Sequence, residues 1–582
     1  MTYQAPVDDI LAALKAAGAF DPGMMNADLD EDTIRAILEE AGKFGTDILD
    51  PLNRTGDKMG SHLNDGRIVT PPGWADAYRQ FAEGGWPALP CPEEYGGQGI
   101  PASIAMGVCE IWNAANLAFG MCPLLTNGAI DALHIGGTDD LKDRYLPHMI
   151  SGRWTGTMNL TEPQAGSDLN AVTTRAVPAG DGTYRLTGTK IYISYGEHDL
   201  TENIIHLVLA RLPDAPPGTR GISLFLVPKF LVNDDATLGA RNDVVCAGIE
   251  HKLGIVASPT CVMKFGEGDG AIGYLVGEEN RGLHVMFIMM NAARLAVGVQ
   301  GVAIADRATQ RASQYARERR QGRAAGSKDM APIIAHPDVR RMLLTMRSLT
   351  QAARGICMAT AAATDLSHTA TDAETRSRAA DRVALLTPIA KAFSTDVAVE
   401  VASLGIQIHG GMGFVEETGA AQYLRDARIL PIYEGTNGIQ AIDLVTRKLP
   451  LGGGSAVTSY FSEVIATLKS LREADLAGMD FAVEQMGRAL EALATATDWI
   501  GRQLQSNPQV ALAGATPYLQ LFSLVAAGDA LARAALQAGN NPTPAALLRF
   551  FAENRSVTAW GLAASIMAGH AVVLDANLGA IR

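Results

Sequence analysis

Along the chain the spacing of apolar residues changes character several times, and those changes divide it. From Asp8 to about Ile150 apolar residues recur at helical intervals. Asp30 to Lys43 has apolar residues at Ile34, Ala36, Ile37 and Ala41, and acids crowd the start, where a helix dipole favours them. Ile104 to Ala118 predicts a more apolar helix, and the Pro/Gly-rich LPCPEEYGGQG between the two predicts a loop. Near Trp154 the texture changes. Up to about Val276, β-rich runs at Tyr184-Arg185-Leu186, Ile204 to Ala210 and Ile222 to Val227 alternate with turn signals. Those signals are Ala179-Gly180-Asp181-Gly182 and Pro216-Pro217-Gly218, and together they predict a small antiparallel β-domain. Helical spacing returns at Leu283 and lasts to about Leu449. Its most apolar stretch, Leu283 to Ala305, is interrupted by Asn291, Arg294 and Gln300, so it predicts a buried helix and not a membrane span.

Leu449-Pro450-Leu451-Gly452-Gly453-Gly454-Ser455 predicts a linker, and the Ala/Leu-rich remainder from about Val457 to Arg582 predicts further helices. No internal repeat interrupts this order. The expected fold is α+β, mostly α. A helical domain over 1–153 is followed by an antiparallel β-domain over 154–277, a helical bundle over 278–449 and an additional helical domain over 457–582.

Composition sets limits on function. The 582 residues, 47% hydrophobic at a mean hydropathy of +0.08, exceed one ordinary core. The 48 basic against 62 acidic residues leave a net charge of −14, which argues against a nucleic-acid binder. The N-terminus has no basic region followed by an apolar run, so no signal peptide is expected. The six cysteines (Cys91, Cys109, Cys122, Cys246, Cys261, Cys357) are scattered without a CxxC pair. Neither disulfides nor a metal site is expected, and a cytoplasmic location fits.

Five segments carry candidate chemistry. In Met158-Asn159-Leu160-Thr161-Glu162-Pro163-Gln164-Ala165-Gly166-Ser167-Asp168, a hydroxyl and main-chain N–H groups can face a ligand, and Gly166 permits close approach; the same composition serves an ordinary turn. Gly188 to Ser194 is a β-run whose Tyr192, Ile193 and Ser194 could line a flat ring, or simply fill a strand. Gln407-Ile408-His409-Gly410-Gly411-Met412-Gly413-Phe414 places three glycines in a helical region, which is costly unless the backbone bends or approaches a phosphate. His409 itself reads as structural. In Ile432-Tyr433-Glu434-Gly435-Thr436-Asn437-Gly438 a carboxylate sits among apolar neighbours, which would raise its pKa and suit a base; a solvated loop glutamate is the alternative. Arg317, Arg319, Arg320 and Arg323 could grip phosphates or cap a helix end.

Taken together, TEPxAGSD, QIxGGxGF and IYEGTN resemble the acyl-CoA dehydrogenase family over roughly residues 75–448, beginning at Pro92-Glu93-Glu94-Tyr95-Gly96-Gly97. The resemblance implies a helical domain, a central β-domain, a four-helix bundle and FAD as cofactor. It implies that Met158, Leu160, Thr161, Gly166, Ser167, Tyr192, Ile193 and Ser194 line the flavin, with Tyr192 standing where many members carry Trp. It implies that Arg319, Gln407, Gly410 and Gly411 reach the FAD of a second subunit in a homodimer. A spacing to Gly322 one residue shorter than in medium-chain members leaves Arg320 as the alternative to Arg319. Thr436 and Gly438 match the turn after the base. Ser167, Asn291, Tyr433 and Gly435 fall toward the acyl-CoA, and Arg294 toward the CoA adenosine; Asn291 replaces an Asp of medium-chain members.

By the same resemblance, Glu434 removes the α-proton while flavin N5 takes the β-hydrogen as hydride. The product is a trans-2-enoyl-CoA, and electrons leave to an electron-transferring flavoprotein. The position that carries the base in other branches is Ala293, which cannot act. Length and the helical extension resemble the branch acting on 3-(methylthio)propanoyl-CoA. A short- to medium-chain fatty acyl-CoA is the competing substrate, and an acyl-CoA oxidase or a non-catalytic scaffold are the competing classes. The extension is expected to dock on its own chain and to favour a dimer over a tetramer.

Overall fold

Each change of period is a change of architecture in the computed structural model of the chain, which describes residues 2–21, 29–326, 328–474 and 476–580. Helix Glu31–Phe44 starts where the Asp30 side chain accepts from the Thr33 N–H at 2.8 Å, and it buries Ile34, Leu38 and Ala41. The Ile104 to Ala118 run is not one helix. Ala102–Ala115 ends at Asn116, whose backbone is extended and whose side chain accepts from Phe119 N at 3.1 Å to open Leu117–Gly136. Capping chemistry overrides an apolar period that reads as continuous.

The central sheet has eight strands and is antiparallel with one correction: Trp154–Asn159 runs parallel to Asn203–Ala210, in register from Trp154↔Asn203 to Asn159↔Val208. Every residue of Trp154–Asn159 is buried, because helix Leu117–Gly136 lies directly on it. A Cβ on Gly156 would stand 2.5 Å from that of Ala129. The longest strand, Tyr184–Ser194, pairs with Arg175–Pro178, Thr260–Phe265 and Ala271–Val276 and delivers its last residues to the edge of the site.

Three long helices follow: Gly282–Glu318, Pro337–Thr369 and Ala373–His409, here the first, second and third bundle helices. The fourth member is short, Asn437–Asp443 running into Leu444–Lys448. By length and composition the first bundle helix and Ala515–Gln537 could each cross a membrane, yet 72% and 67% of their apolar windows are already buried inside the chain. Both are core helices.

The Gly-rich segment is a turn and not a tether. Gly452, Gly453 and Gly454 have φ of +59°, +68° and +95°, and helix Ser455–Glu473 starts immediately after them. Helix Ala515–Gln537 then packs on the second bundle helix, where a Cβ on Gly355 would meet that of Ala530 at 2.8 Å. Arg382 pairs with Glu463, and Arg555 with Glu400 at 2.8 Å. Ile356 and Leu349 of the bundle share one hydrophobic cluster with Tyr460 and Phe522 of the extension. Elsewhere a buried ion cluster ties the N-terminal helices to the bundle: Arg354 reaches Glu110 at 2.6 Å and Asp306 at 3.0 Å, and Arg347 reaches Asp9 at 2.6 Å.

Candidate active site

The segment Ile432 to Gly438 is folded by its own backbone. Tyr433 N bonds Ile429 O at 3.1 Å and Asn437 N bonds Pro431 O at 3.0 Å, closing a tight reversal. The reversal needs two left-handed residues in succession, Glu434 at φ +54° and Gly435 at φ +81°. For glutamate that conformation is strained, on the order of 1–3 kcal/mol, a strain that characteristically occurs at functional turns. Thr436 then caps helix Asn437–Asp443, its hydroxyl accepting from Ile439 N at 3.2 Å, with Gly438 in the first turn. Gln440 Nε2 donates to Gly435 O at 3.1 Å and would collide with a Cβ at Gly435.

Among the described residues no hydrogen bond reaches the Glu434 carboxylate, and its main-chain N–H has no acceptor. Burial raises its pKa above the ordinary glutamate range, while Arg294 and then Lys391 pull it back. Arg294 is only 5% exposed. It pairs with Asp443 at 3.6 Å and donates to Asn291 Oδ1 at 3.3 Å. Arg294 thus lies buried against the Glu434 turn. Ala293 beside it is also buried. Asn291 is exposed on the same helix.

Lys391, from the third bundle helix, is fully buried and was not among the residues singled out from the sequence. It donates to Gly435 O at 2.9 Å and Asn437 Oδ1 at 3.0 Å. Its one signal was a lone lysine inside the apolar run Leu385 to Phe393. Tyr433 points inward; its hydroxyl bonds Gln300 Oε1 and lies 3.5 Å from Met121 Sδ.

Helix Leu117–Gly136 also joins this turn to the β-domain. Its Ala118 O accepts from Tyr195 OH at 2.8 Å, one turn before Met121. Tyr195 follows Ser194, so the end of strand Tyr184–Ser194 and the base turn share one support. Tyr192, at φ +61°, holds its ring 61% exposed while Ile193 is buried. The loop from Met158 to Ser167 is fastened alongside: Ile191 N bonds Thr161 O at 2.9 Å, and Lys190 Nζ bonds Leu160 O at 3.1 Å and Glu162 at 2.8 Å. Met158 is buried, Leu160 and Thr161 are half-buried, and Gly166 and Ser167 are exposed. Glu162 and Lys190, also missed from the sequence, hold this loop from beneath.

The remaining predicted residues lie elsewhere. Arg319 is about 25 residues beyond Arg294 on the first bundle helix, hence about 37 Å away along its axis. It stands beside the end of the third bundle helix, because Tyr315 stacks on His409 at 4.4 Å and 25°. Gln407, Gly410 and Gly411 are exposed there, with open space around both glycines, and Phe414 next to them is 87% exposed. His409 is buried and bonded through Nδ1 to Gly405 O, a structural residue as expected. The arginine run is partly a helix end and partly a hairpin: Arg317 lies in the last turn of the first bundle helix and Arg319 follows it, whereas Arg320–Arg323 pairs with Met330–Pro332, and Arg320 donates to Met330 O at 2.9 Å. Arg319 stays exposed, and its guanidinium donates to Gln321 Oε1 at 3.4 Å.

Four family domains match this chain. The acyl-CoA dehydrogenase N-terminal domain matches residues 31–153, the middle domain 157–267 and the C-terminal domain 280–449; a domain described as acetyl-CoA dehydrogenase C-terminal like matches 460–577. The chain is 50% identical to the 3-methylmercaptopropionyl-CoA dehydrogenase of Ruegeria pomeroyi, over 92% of each chain. It is 37% identical to a butyryl-CoA dehydrogenase of Syntrophomonas wolfei, over 87% of this chain and 84% of that one. The crystal structure of Caenorhabditis elegans ACDH-11 in complex with C11-CoA shares the fold, with a TM-score of 0.78 at 21% identity over 99% of this chain and 96% of that one.

Proposed function

Since the chain belongs to the acyl-CoA dehydrogenase family, we propose that Glu434 is the base that takes the α-proton from its acyl-CoA thioester. The enzyme is an FAD-dependent oxidoreductase of acyl-CoA thioesters. The observation that carries the assignment of the base is the Glu434 carboxylate itself: half-buried, held in a left-handed turn, and free of any direct hydrogen bond among the described residues. A carboxylate so placed keeps its lone pairs for a substrate proton, and its raised pKa brings its basicity nearer to the task. The Glu434 N–H, lacking an acceptor, is available to a thioester carbonyl as negative charge develops on its oxygen. Arg294 and Lys391 keep the base ionised once the pocket excludes water.

The residues present suit FAD. The exposed Tyr192 ring beside buried Ile193, flanked by Leu160 and Thr161, offers a flat apolar wall with hydroxyl and main-chain groups at its edge. Bound FAD supplies the acceptor for the β-hydrogen as hydride, so that the thioester leaves as a trans-2-enoyl-CoA. Met158, Leu160, Thr161, Gly166, Ser167, Tyr192, Ile193 and Ser194 would hold the cofactor within the chain. Arg319, Gln407, Gly410 and Gly411 would hold it from a second copy, for which the roughly 37 Å between Arg294 and Arg319 along one rigid helix is the support. Arg319 is preferred to Arg320, whose guanidinium is engaged in the hairpin. Asn291, Ser167 and Gly435 would lie toward the acyl-CoA, with Tyr433 anchoring the turn from within through Gln300. A homodimer follows, with the extension occupying its own bundle's outer face. Light scattering on the full chain is expected to give a dimer. A chain ending near Gly452 is expected to aggregate through the uncovered Leu349 and Ile356 surface, and a soluble truncated dimer would count against the covering role.

We favour 3-(methylthio)propanoyl-CoA as substrate, on the 50% identity to the Ruegeria enzyme. A short-chain acyl-CoA is the second reading, on the 37% identity to a butyryl-CoA dehydrogenase. The thioether sulfur replaces one methylene, so comparing kcat/KM for the two and for pentanoyl-CoA with a dye acceptor separates shape from sulfur. Dependence on a dye or an electron-transferring flavoprotein, with no turnover on oxygen alone, separates dehydrogenase from oxidase. We place the enzyme in the cytoplasm, where its six unpaired cysteines are at home. The base is tested by mixing Glu434→Gln with substrate anaerobically: flavin bleaching at the wild-type rate would refute it.

A further inference from the structure

We propose that Lys391 is the positioning residue of the proton-abstraction step, fixing the base turn by its two hydrogen bonds and setting the ionisation of Glu434 by its charge. The inference rests on Glu434 being the base.

The geometry is unusual for a lysine. Its side chain is entirely buried, and it reaches no carboxylate within salt-bridge distance among the described residues. Its ammonium instead donates to the carbonyl of Gly435 and to the side-chain oxygen of Asn437. Burying an ammonium is expensive, and a stability role would be met better by an ion pair, as Lys190 makes with Glu162. What the two bonds secure is the carbonyl immediately after Glu434, in the turn whose left-handed φ values have to be imposed from outside. Asn437 is locked in turn, donating to Ala392 O at 3.2 Å, Thr395 Oγ1 at 3.0 Å and Asp396 Oδ1 at 2.8 Å. The base turn is therefore bolted to one rigid helix at Lys391, Ala392, Thr395 and Asp396.

The charges around the site are few. Glu434 faces Arg294 from the first bundle helix and Lys391 from the third, with the Tyr433 phenol on its own turn. Asp443 opposes Arg294, and Arg447 and Lys448 share that carboxylate at 3.3 and 3.8 Å. Lys391 faces Glu434, Asp396 and Arg294. Burial pushes the Lys391 ammonium down to about 7, with Glu434 and Asp396 pulling the other way. Below that pH it is a cation. Arg294 pairs with Asp443, whereas Lys391 makes no ion pair within salt-bridge distance among the described residues.

The test is anaerobic stopped-flow reduction of the FAD-loaded full chain by substrate, followed across pH, for Lys391→Gln, Lys391→Arg and Glu434→Gln. Lys391→Gln can still donate to Gly435 O but carries no charge. It is expected to bind FAD and substrate normally, to lose up to about 10²-fold in maximal reduction rate, and to move the acid limb of the profile up by roughly one to three pH units. Lys391→Arg should return the limb to the wild-type position. A limb unmoved in Lys391→Gln, or displaced equally in Lys391→Arg, overturns the proposal. If Lys391→Gln does not accumulate as holoenzyme, Lys391→Arg decides: a wild-type limb with reduced maximal rate supports the role, and a displaced limb refutes it. Full-rate reduction in Glu434→Gln would instead refute the base assignment, an outcome distinct from failure at Lys391.

Discussion

Glu162 and Glu434 each stand in a motif loop, and each has a fully buried lysine near it. Glu162 accepts from Gln164 Nε2, Thr173 N and Oγ1, Thr174 N and Oγ1, and Lys190 Nζ, at 2.6–3.1 Å. Burial alone would raise its pKa, but Lys190 and the hydroxyl and main-chain donors outweigh it and hold it at about 2. Glu434 has no such donor among the described residues, and burial carries its pKa upward. The two lysines differ in the same sense: Lys190 binds its carboxylate directly, whereas Lys391 binds the carbonyl next to one. A saturated buried glutamate is a fastener, and an unsaturated one on a strained turn is available for chemistry.

The sharpest way to break this contrast is to exchange each carboxylate for its amide. Glu434→Gln is expected to lose on the order of 10²–10⁴-fold in substrate-driven flavin reduction while retaining FAD; rapid-mixing absorbance checks it. Glu162→Gln leaves Lys190 buried without its counter-charge and should destabilise the chain by roughly 3–5 kcal/mol, read from denaturant midpoints. Unchanged stability there would mean that Glu162 is no fastener.

pH sharpens the same contrast. The folded pKa of Glu162 lies below the unfolded 4.5, so its stabilisation is complete above pH 4.5 and fades as pH falls toward about 2. Acid unfolding of Glu162→Gln should therefore be flatter in that window than that of the wild type. Glu434 has the opposite sign. Its raised pKa means that ionisation works against the fold as pH rises, and the acid limb of flavin reduction should lie above the ordinary glutamate range. The smallest effect expected is on the stability of Glu434→Gln near neutral pH: no loss, or a gain within about 1 kcal/mol, because a desolvated charge is removed. A large loss would return Glu434 to the class of Glu162.

Much of this was legible in the sequence, for definite reasons. The segment Ile432 to Gly438 stood out only through its resemblance to a family motif, since its residues alone read equally as a solvated loop glutamate. The change from helix to sheet near Trp154 and back at Leu283 was legible, because the period itself changes. The parallel pairing of Trp154–Asn159 was not: all its side chains are buried, so no alternation marks it. Asn116 was absorbed into an apolar run although it caps a new helix. Gly452-Gly453-Gly454 read as a linker because glycine composition does not distinguish a tether from a left-handed turn. Arg294 and Lys391 converge on Glu434 from positions far apart in the chain, and spacing along a sequence carries no record of such meetings.

The length of the helices has a genetic consequence. In the proposed dimer one chain lends Glu434 to its own pocket and Gly411 to its partner's, since the first and third bundle helices carry the two ends apart. A chain defective at Glu434 would spoil only the pocket it owns, and one defective at Gly411 only its neighbour's. In a mixed dimer of the two, both lesions fall in the same pocket and the other is assembled entirely from sound parts. Two inactive alleles of this gene, expressed together, should thus restore activity that neither provides alone.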